Sequence, residues 1–285
     1  MVNKIHALTL SLILGLSACA TQPQQNADNS IRPVRDVKAA KVVDPQAVQK
    51  VDQLTEYPEP LVQAWQKSLR DCMASKGYTP RPYYRMRRPN YVRNTLPPGP
   101  ISVEQARERG YDAPKSQKTL ELEAAERNSP MTEEEMRAYS GITFEGRPQS
   151  CQYLTEVKLF GDSELAQYLF GAEKFILPYT QNAGVSNDMG YIYTDWAQCM
   201  NTKYQLSFRT PDEIFYQYRD SDIPADLSIK DATCREQVNY EGRLNDLLNA
   251  YMTSFLEDNQ ALIERITQAK KNAEENAPKI LDGTL

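Results

Sequence analysis

Histidine, the side chain that titrates nearest neutrality, occurs once in this chain, as His6. A Ser-His-Asp or Cys-His nucleophile therefore has no imidazole beyond the first few residues. Zinc sites need histidine or free thiolate, and no Gly-rich phosphate loop or nucleotide fingerprint is present. The remaining catalytic chemistry is a pair of carboxylates facing a cleft, as in glycan cleavage. With 38 Asp and Glu the acids for this exist, but none stands in a distinctive motif. Asp220-x-Asp222-x-x-x-Asp226 has the look of a cation loop without its glycine and terminal glutamate, and reads as solvated turn acids. The expectation is no catalytic residue, no metal and no cofactor.

The cysteines carry more. Trp65 is followed by Cys72-Met73 and Lys76-Gly77-Tyr78; Trp196 is followed by Cys199-Met200 and Lys203-Tyr204. After each copy comes one further cysteine, Cys151 and then Cys234. The fifth, Cys19, ends Leu16-Ser17-Ala18-Cys19, behind Lys4 and an apolar run from Ala7 to Leu16. That run is too short for a membrane span, which takes about 20 apolar residues. The arrangement resembles the bacterial lipobox. It implies a signal peptide at 1–18, cleavage before Cys19 and lipidation of Cys19. Buried methylenes worth ~0.8 kcal/mol each would then hold a water-soluble body at a membrane. Ala20 in place of Asp resembles sorting to the outer membrane, facing the periplasm, in a diderm host. Four cysteines remain, an even number in an oxidising compartment, and none lies in C-x-x-C. Four cysteines allow three pairings; Cys72–Cys151 with Cys199–Cys234 keeps each bridge inside one repeat. Removing Lys4 with the leader takes the formal charge from −5 to −6 (−5 − 1). Such a surface offers no field for nucleic acid.

The elements that must position these residues read as helices throughout. Residues 19–43 are polar and aperiodic, a disordered tether. A helical domain covers 44–276, with sub-halves 44–170 and 190–276 if the chain is an internal duplication, and 277–285 form a flexible tail. Asp44-Pro45 reads as a helix start. Leu61 to Ser75 carries one apolar stripe ending before Gly77. Ser102-x-x-Gln105 and Thr132-x-x-Glu135 are capping boxes. The Glu133–Glu135 run in the second suits the helix dipole and reads as structural. A charged helix is predicted over 117–127, further helices over 151–159, 163–170 and 193–204, and a loop over 171–190. Thr210-Pro211-Asp212-Glu213 predicts a cap, a proline at the first helical position and a glutamate at the third. Ser228 then caps a single long helix through Asn276. Its stripe is Leu244, Leu248, Tyr251, Phe255, Leu262 and Ile266, either a seam inside the chain's own bundle or a face for a partner helix. The half beyond Glu264 is charged and is expected to project or to pack on one side only.

Residues 81–93 contrast with the acidic remainder. Arg81, Tyr83, Tyr84, Arg85, Arg87, Arg88, Tyr91 and Arg93 stand among prolines with no acid between them. One reading is a patch for anionic groups such as peptidoglycan carboxylates, lipopolysaccharide phosphates or lipid heads. The other is a solvated loop whose tyrosines pack on the domain and whose arginines pair with its acids.

Several of these motifs, in this order, resemble a group of uncharacterised secreted bacterial lipoproteins common in actinobacteria. They are Cys72-Met73 ending in Gly77-Tyr78, Arg109-Gly110-Tyr111, Met131 to Glu135 with Tyr139, the single Cys151, Trp196 with Cys199-Met200, and Ala232-Thr233-Cys234-Arg235-Glu236. The stretch before Cys151 departs from that pattern: Arg147-Pro148-Gln149-Ser150 stands where glycines are expected. The resemblance implies no settled activity, and a place beside exporter components. The expectation is an all-α, disulfide-stapled irregular bundle with a long C-terminal helix. Functionally it is a lipid-anchored, non-catalytic envelope protein that binds another envelope protein. The alternative is a module for envelope glycan or anionic lipid, working through 81–93; a carboxylate-dependent glycan-cleaving enzyme is less favoured.

Overall fold

Cap chemistry starts many of the helices where the sequence places it. A computed structural model describes residues 31–34, 36–79, 81, 92, 99, 102–111, 121, 124, 127–141, 147–219 and 221–285. Helix α1 spans Ala47–Thr55, α2 Glu59–Ser75, α3 Val103–Arg109 and α4 Glu133–Ser140. Then follow α5 Cys151–Phe160, α6 Ser163–Phe170, α7 Glu173–Gly184 and α8 Asn187–Tyr204. The chain ends with α9 Asp212–Gln217, α10 Ala225–Gln237, α11 Tyr240–Asp258 and α12 Gln260–Asp282. Among the described residues there is no strand. Ser102 caps α3 by accepting from Gln105 N, and Thr132 caps α4 by accepting from Glu135 N, both at 3.1 Å. At α9 the cap differs from expectation. The helix starts at Asp212, and Glu213 reaches back to accept from Arg209 N at 2.7 Å.

Both disulfides form as expected, Cys72–Cys151 tying α2 to α5 and Cys199–Cys234 tying α8 to α10. The two Cys-Met copies end their helices in the same way. The chain turns left-handed at Gly77 (φ 87°) and at Gln205 (φ 57°). The methionine carbonyl then accepts a closing bond, Met73 O from Tyr78 N and Met200 O from Leu206 N. The environments diverge. Trp196 Nε1 donates to Asp231, whereas Trp65 Nε1 is buried with no partner among the described residues.

Residues 32–285 form one unit in which the proposed halves interleave. Helix α12, from the far end of the chain, packs on α2, α5 and α6; α1 packs chiefly on α11, which also meets α7 and α8. Neither half has its core without an element from the other.

Four expectations are overturned here. Residues 171–190 are not a loop: α7 fills them despite Pro178 inside it. Phe175, Ile176, Tyr179 and Ala183 recur at helical spacing and are buried, and that burial outweighs the bond the proline removes. The single helix from Ser228 is three helices. Ser228 is a buried residue of α10, with its hydroxyl on Ala225 O and Ala106 O. Asn239 breaks the run in left-handed conformation (φ 51°), and its amide covers Gly242, where a Cβ would lie 2.5 Å from Asn239 Oδ1. Asn259 kinks it again, donating to Tyr179 Oη and Phe255 O, both at 2.9 Å. The segment beyond Glu264 packs on one side only, the second of its two expected outcomes, but 277–282 continue α12 instead of forming a tail: Ile266, Ala269, Ala273, Ala277 and Ile280 are all buried on one face of α12. Alanines let that face approach α2 and α5 closely, so it needs few large apolar residues. Finally, the tether does not run to residue 43, because the strap from Val37 is docked, with Ala40 N donating to Ala250 O at 3.0 Å. Of the charged helix at 117–127, only Glu121, Ala124 and Arg127 are described; they are helical.

Glu156 on α5 is buried beside Arg147 (3.3 Å) and Gln152 (3.1 Å). Burial pushes its carboxyl above the usual range, with Gln152 and Arg147 opposing. The folded state therefore holds this proton more tightly than the unfolded chain does. Its contribution is fully present below the unfolded pKa and is lost as pH rises through the folded one. Glu156→Gln is expected to flatten the stability profile just above the normal glutamate range, read by urea midpoints across that window.

Candidate binding groove

The residues singled out for binding fare unevenly. Arg81 is committed: its Nε and Nη2 donate to Glu135 Oε1 and Oε2, both at 2.5 Å, and Nη1 donates to Ser129 O. Glu135 is buried, so this bidentate pair fastens the start of the Arg/Tyr loop to α4. The acid read as a capping-box and dipole partner is also the anchor of that arginine. Tyr83, Tyr84, Arg85, Arg87, Arg88, Tyr91 and Arg93 lie outside the described residues, as does Cys19. Within the loop Val92 is buried. At its end Gly99 lies on Arg235, where a Cβ would come 2.4 Å from Nη2. Arg235 is buried and ion-paired, so it cannot swing aside. Gly99→Ala is expected to cost about 1–3 kcal/mol in urea unfolding.

The predicted partner face is the interior seam. Leu244, Leu248, Tyr251, Phe255, Leu262 and Ile266 are all buried, Leu248, Phe255, Leu262 and Ile266 completely. Tyr179 stacks edge-on to Phe255 at 5.4 Å, and its hydroxyl donates to Asp258. Helices α1, α7 and α8 cover α11, and α2, α5 and α6 cover α12, so no face there is left for another helix.

The scattered motifs near 110, 196 and 235 meet at one buried carboxylate. Asp231, on α10, accepts from Trp196 Nε1 and Arg235 Nε at 2.8 Å on one oxygen, and from Tyr111 Oη at 3.2 Å on the other. Arg235 lies 4.5 Å from the centre of the Tyr240 ring and 3.5 Å from Glu241. Burial alone would lower the pKa of this guanidinium; the Asp231 carboxylate beside it, with Tyr240 and Glu241, more than offsets that. Burial also raises Tyr111, and pushes Tyr193 up to about 12. The guanidinium and the two phenols are thus held in their protonated forms, and the hydrogen bonds tie α8, α10 and the end of α3 together.

On its solvent side Tyr111 opens into a groove of 820 Å³ between α3 and the α9–α10 connection. Its aromatic wall is Tyr111 against Phe215, edge-on at 5.1 Å, with Tyr218 beside them. Arg107, Arg109 and Arg219 line it together with Glu108, Asp222 and Asp226. Helix α3 is set here by Val103 N donating to Glu236 and by Ser228 Oγ donating to Ala106 O. In the sequence Arg109-Gly110-Tyr111 stood out only as part of a family resemblance, and Phe215 and Arg219 carried no signal, so this site was not legible there. Asp226 pairs with Lys230, Asp220 lies outside the described residues, and no cluster among the described residues could hold a metal ion. An open groove with both charges and an aromatic wall suits a polar chain carrying an occasional apolar side chain.

No family model, curated protein or solved structure matches this chain. Its function is therefore argued from the groove and from the fold that builds it. Among the described residues no helix is long and apolar enough to cross a membrane.

Proposed function

We propose that this is a lipid-anchored, non-catalytic protein of the bacterial cell envelope that binds another envelope protein through the α3/α9–α10 groove. The leader ending at Cys19 and the two disulfides support the compartment, since such bridges persist in oxidising surroundings. The outer membrane, facing the periplasm, is the favoured site in a diderm host. The observation that carries the binding reading is the groove itself, an open cleft lined by three arginines, three carboxylates and the Tyr111–Phe215 wall. Its occupant is a polar segment of a protein, with charges of both signs and an apolar or aromatic side chain to lie on Phe215. Glycan or anionic-lipid binding through 81–93 is the alternative, and it loses Arg81, which is held by Glu135.

A photo-crosslinker placed at Tyr218 in cells is expected to give one stoichiometric adduct. Arg107→Glu with Arg219→Glu should reduce that adduct at least about tenfold, the change expected of charges that steer and register a partner. Absence of an adduct under several growth conditions, or an adduct indifferent to both reversals, would overturn the reading. Sedimentation with peptidoglycan that weakens with salt would favour the alternative.

A further inference from the structure

The strap leading into α1 is held along α11. Ala40 N donates to Ala250 O, Asp44 N to Thr253 Oγ1 and Val48 N to Asn249 Oδ1, each at 3.0 Å. Asn249 and Thr253 are buried polar side chains of α11, and both are used in fixing the direction of the strap. Against this, Val42 and Val43 face outward, 84% and 42% exposed. The strap runs beside the start of α8: Ala39, Ala40, Asp188 and Tyr191 line one shallow groove with Ala250. Val185, just ahead of α8, is 84% exposed and Tyr191 is 65% exposed. Val42 and Val43 on the strap and Val185 and Tyr191 at the start of α8 are thus large apolar side chains exposed on two neighbouring segments.

Charge and chain length say what covers them. Across residues 32–41 Asp36 is the only acid, against Arg32, Lys38 and Lys41 among the described cations, in a chain of net charge −5. Lys38 and Lys41 are exposed and bracket the approach to Val42. Cys19 precedes Val37 by 18 positions, a separation that no chain can stretch beyond about 65 Å. A chain anchored at Cys19 would be held close to the bilayer by this end.

We propose that the face made by Val42, Val43, Val185 and Tyr191, with Lys38 and Lys41, rests on the bilayer that holds the anchor. The apolar side chains enter the interface and the lysines meet anionic phospholipid headgroups. The groove at α3 is then presented in a set orientation. This rests on Cys19 being the anchored residue, and the test separates the two claims. Residues 19–285 are coupled through the Cys19 thiol to a maleimide lipid in vesicles of phosphatidylethanolamine and phosphatidylglycerol. Val42→Trp and Val185→Trp report contact by quenching from brominated lipid. Tyr216→Trp, at an exposed position on α9, is the control. Each reporter on the face is expected to lose about half its added emission, as for side chains ~5–10 Å into the interface, with little loss from the control. Lys38→Glu with Lys41→Glu should reduce the quenching severalfold. Quenching equal to the control, or reporters covered without vesicles as protein concentration rises, would overturn the proposal; the latter would assign the face to a second copy. Chemical coupling makes this result independent of cellular lipidation. The anchor is read separately, by detergent-phase partition of the chain from cells and its loss in Cys19→Ser.

Discussion

Asp231→Ala is expected to be among the most destabilising single substitutions in this protein, costing about 3–5 kcal/mol. Asp231 is fully buried and Arg235 is 2% exposed. Removing the carboxylate leaves a guanidinium without its near counter-charge, 3.5 Å from a partly exposed Glu241. It also strands Trp196 Nε1 and Tyr111 Oη, the first in the core. A buried donor without a partner costs about 1–3 kcal/mol. Asp231→Asn keeps the shape and an acceptor but not the charge, and should fall between alanine and wild type. Arg235→Met on top of Asp231→Ala should recover part of the loss, because the stranded charge is the larger penalty. Urea unfolding followed by circular dichroism, with the disulfides intact, measures all three. A loss below about 1 kcal/mol for Asp231→Ala would show that the network contributes little to stability. The binding groove should suffer too, since Tyr111 forms its wall and hydrogen-bonds to Asp231.

Loss of both disulfides is expected to unfold the chain. Cys72–Cys151 closes a separation of 79 residues and Cys199–Cys234 one of 35. Chain entropy assigns these roughly 4.5 and 3.8 kcal/mol as upper-end values. Together they rival the about 5–15 kcal/mol that a whole domain has to spare. Each single bridge should be dispensable for folding, at a cost of a few kcal/mol, when replaced by alanine pairs. The pairs differ in a second respect. Cys199 shares α8 with Trp196, and Cys234 precedes Arg235, so opening this bridge also loosens the grip on Asp231. Cys199→Ala with Cys234→Ala should therefore cost more than its shorter loop implies. Calorimetry with and without reductant tests this; a cooperative transition that survives full reduction would show that packing alone suffices.

These two results bear on how the halves of the chain depend on each other. Each bridge staples one cluster, while α12, from the far end of the chain, packs into the first of them and α1 joins α12 to α11. Substitution in α12, for instance Ile266→Asp, is thus expected to disturb packing around Cys72 and Cys151, far away in sequence. The stripe on α11 and α12 behaves likewise: making Leu248 or Phe255 polar should unfold the protein instead of detaching a partner, because both are fully buried in the chain's own core.

The sequence by itself determined the all-helical class, an even set of four cysteines for two bridges and the caps at Ser102 and Thr132, while the choice among three pairings fell to the fold. These depend on local spacing or on parity, which a linear string carries in full. It also marked Trp196, Tyr111 and Arg235 as worth notice, without saying why. Tertiary structure alone decided the rest. Asp231 gathers side chains from three separate stretches, and no local pattern distinguishes a buried carboxylate from a solvated one. Asn239 and Asn259 break a run whose apolar period continues across both, so periodicity sees one helix where geometry makes three. Helix α7 forms through Pro178 because its neighbours bury Phe175 and Tyr179, an energy that turn-forming residues in the same stretch conceal. The apolar stripe could serve a partner or the chain itself; the choice fell to α1, α2 and α5 to α8, which reach it first within one chain. The groove followed from that same packing, since α3 and the α9–α10 connection share no motif and meet because α3 packs on α10.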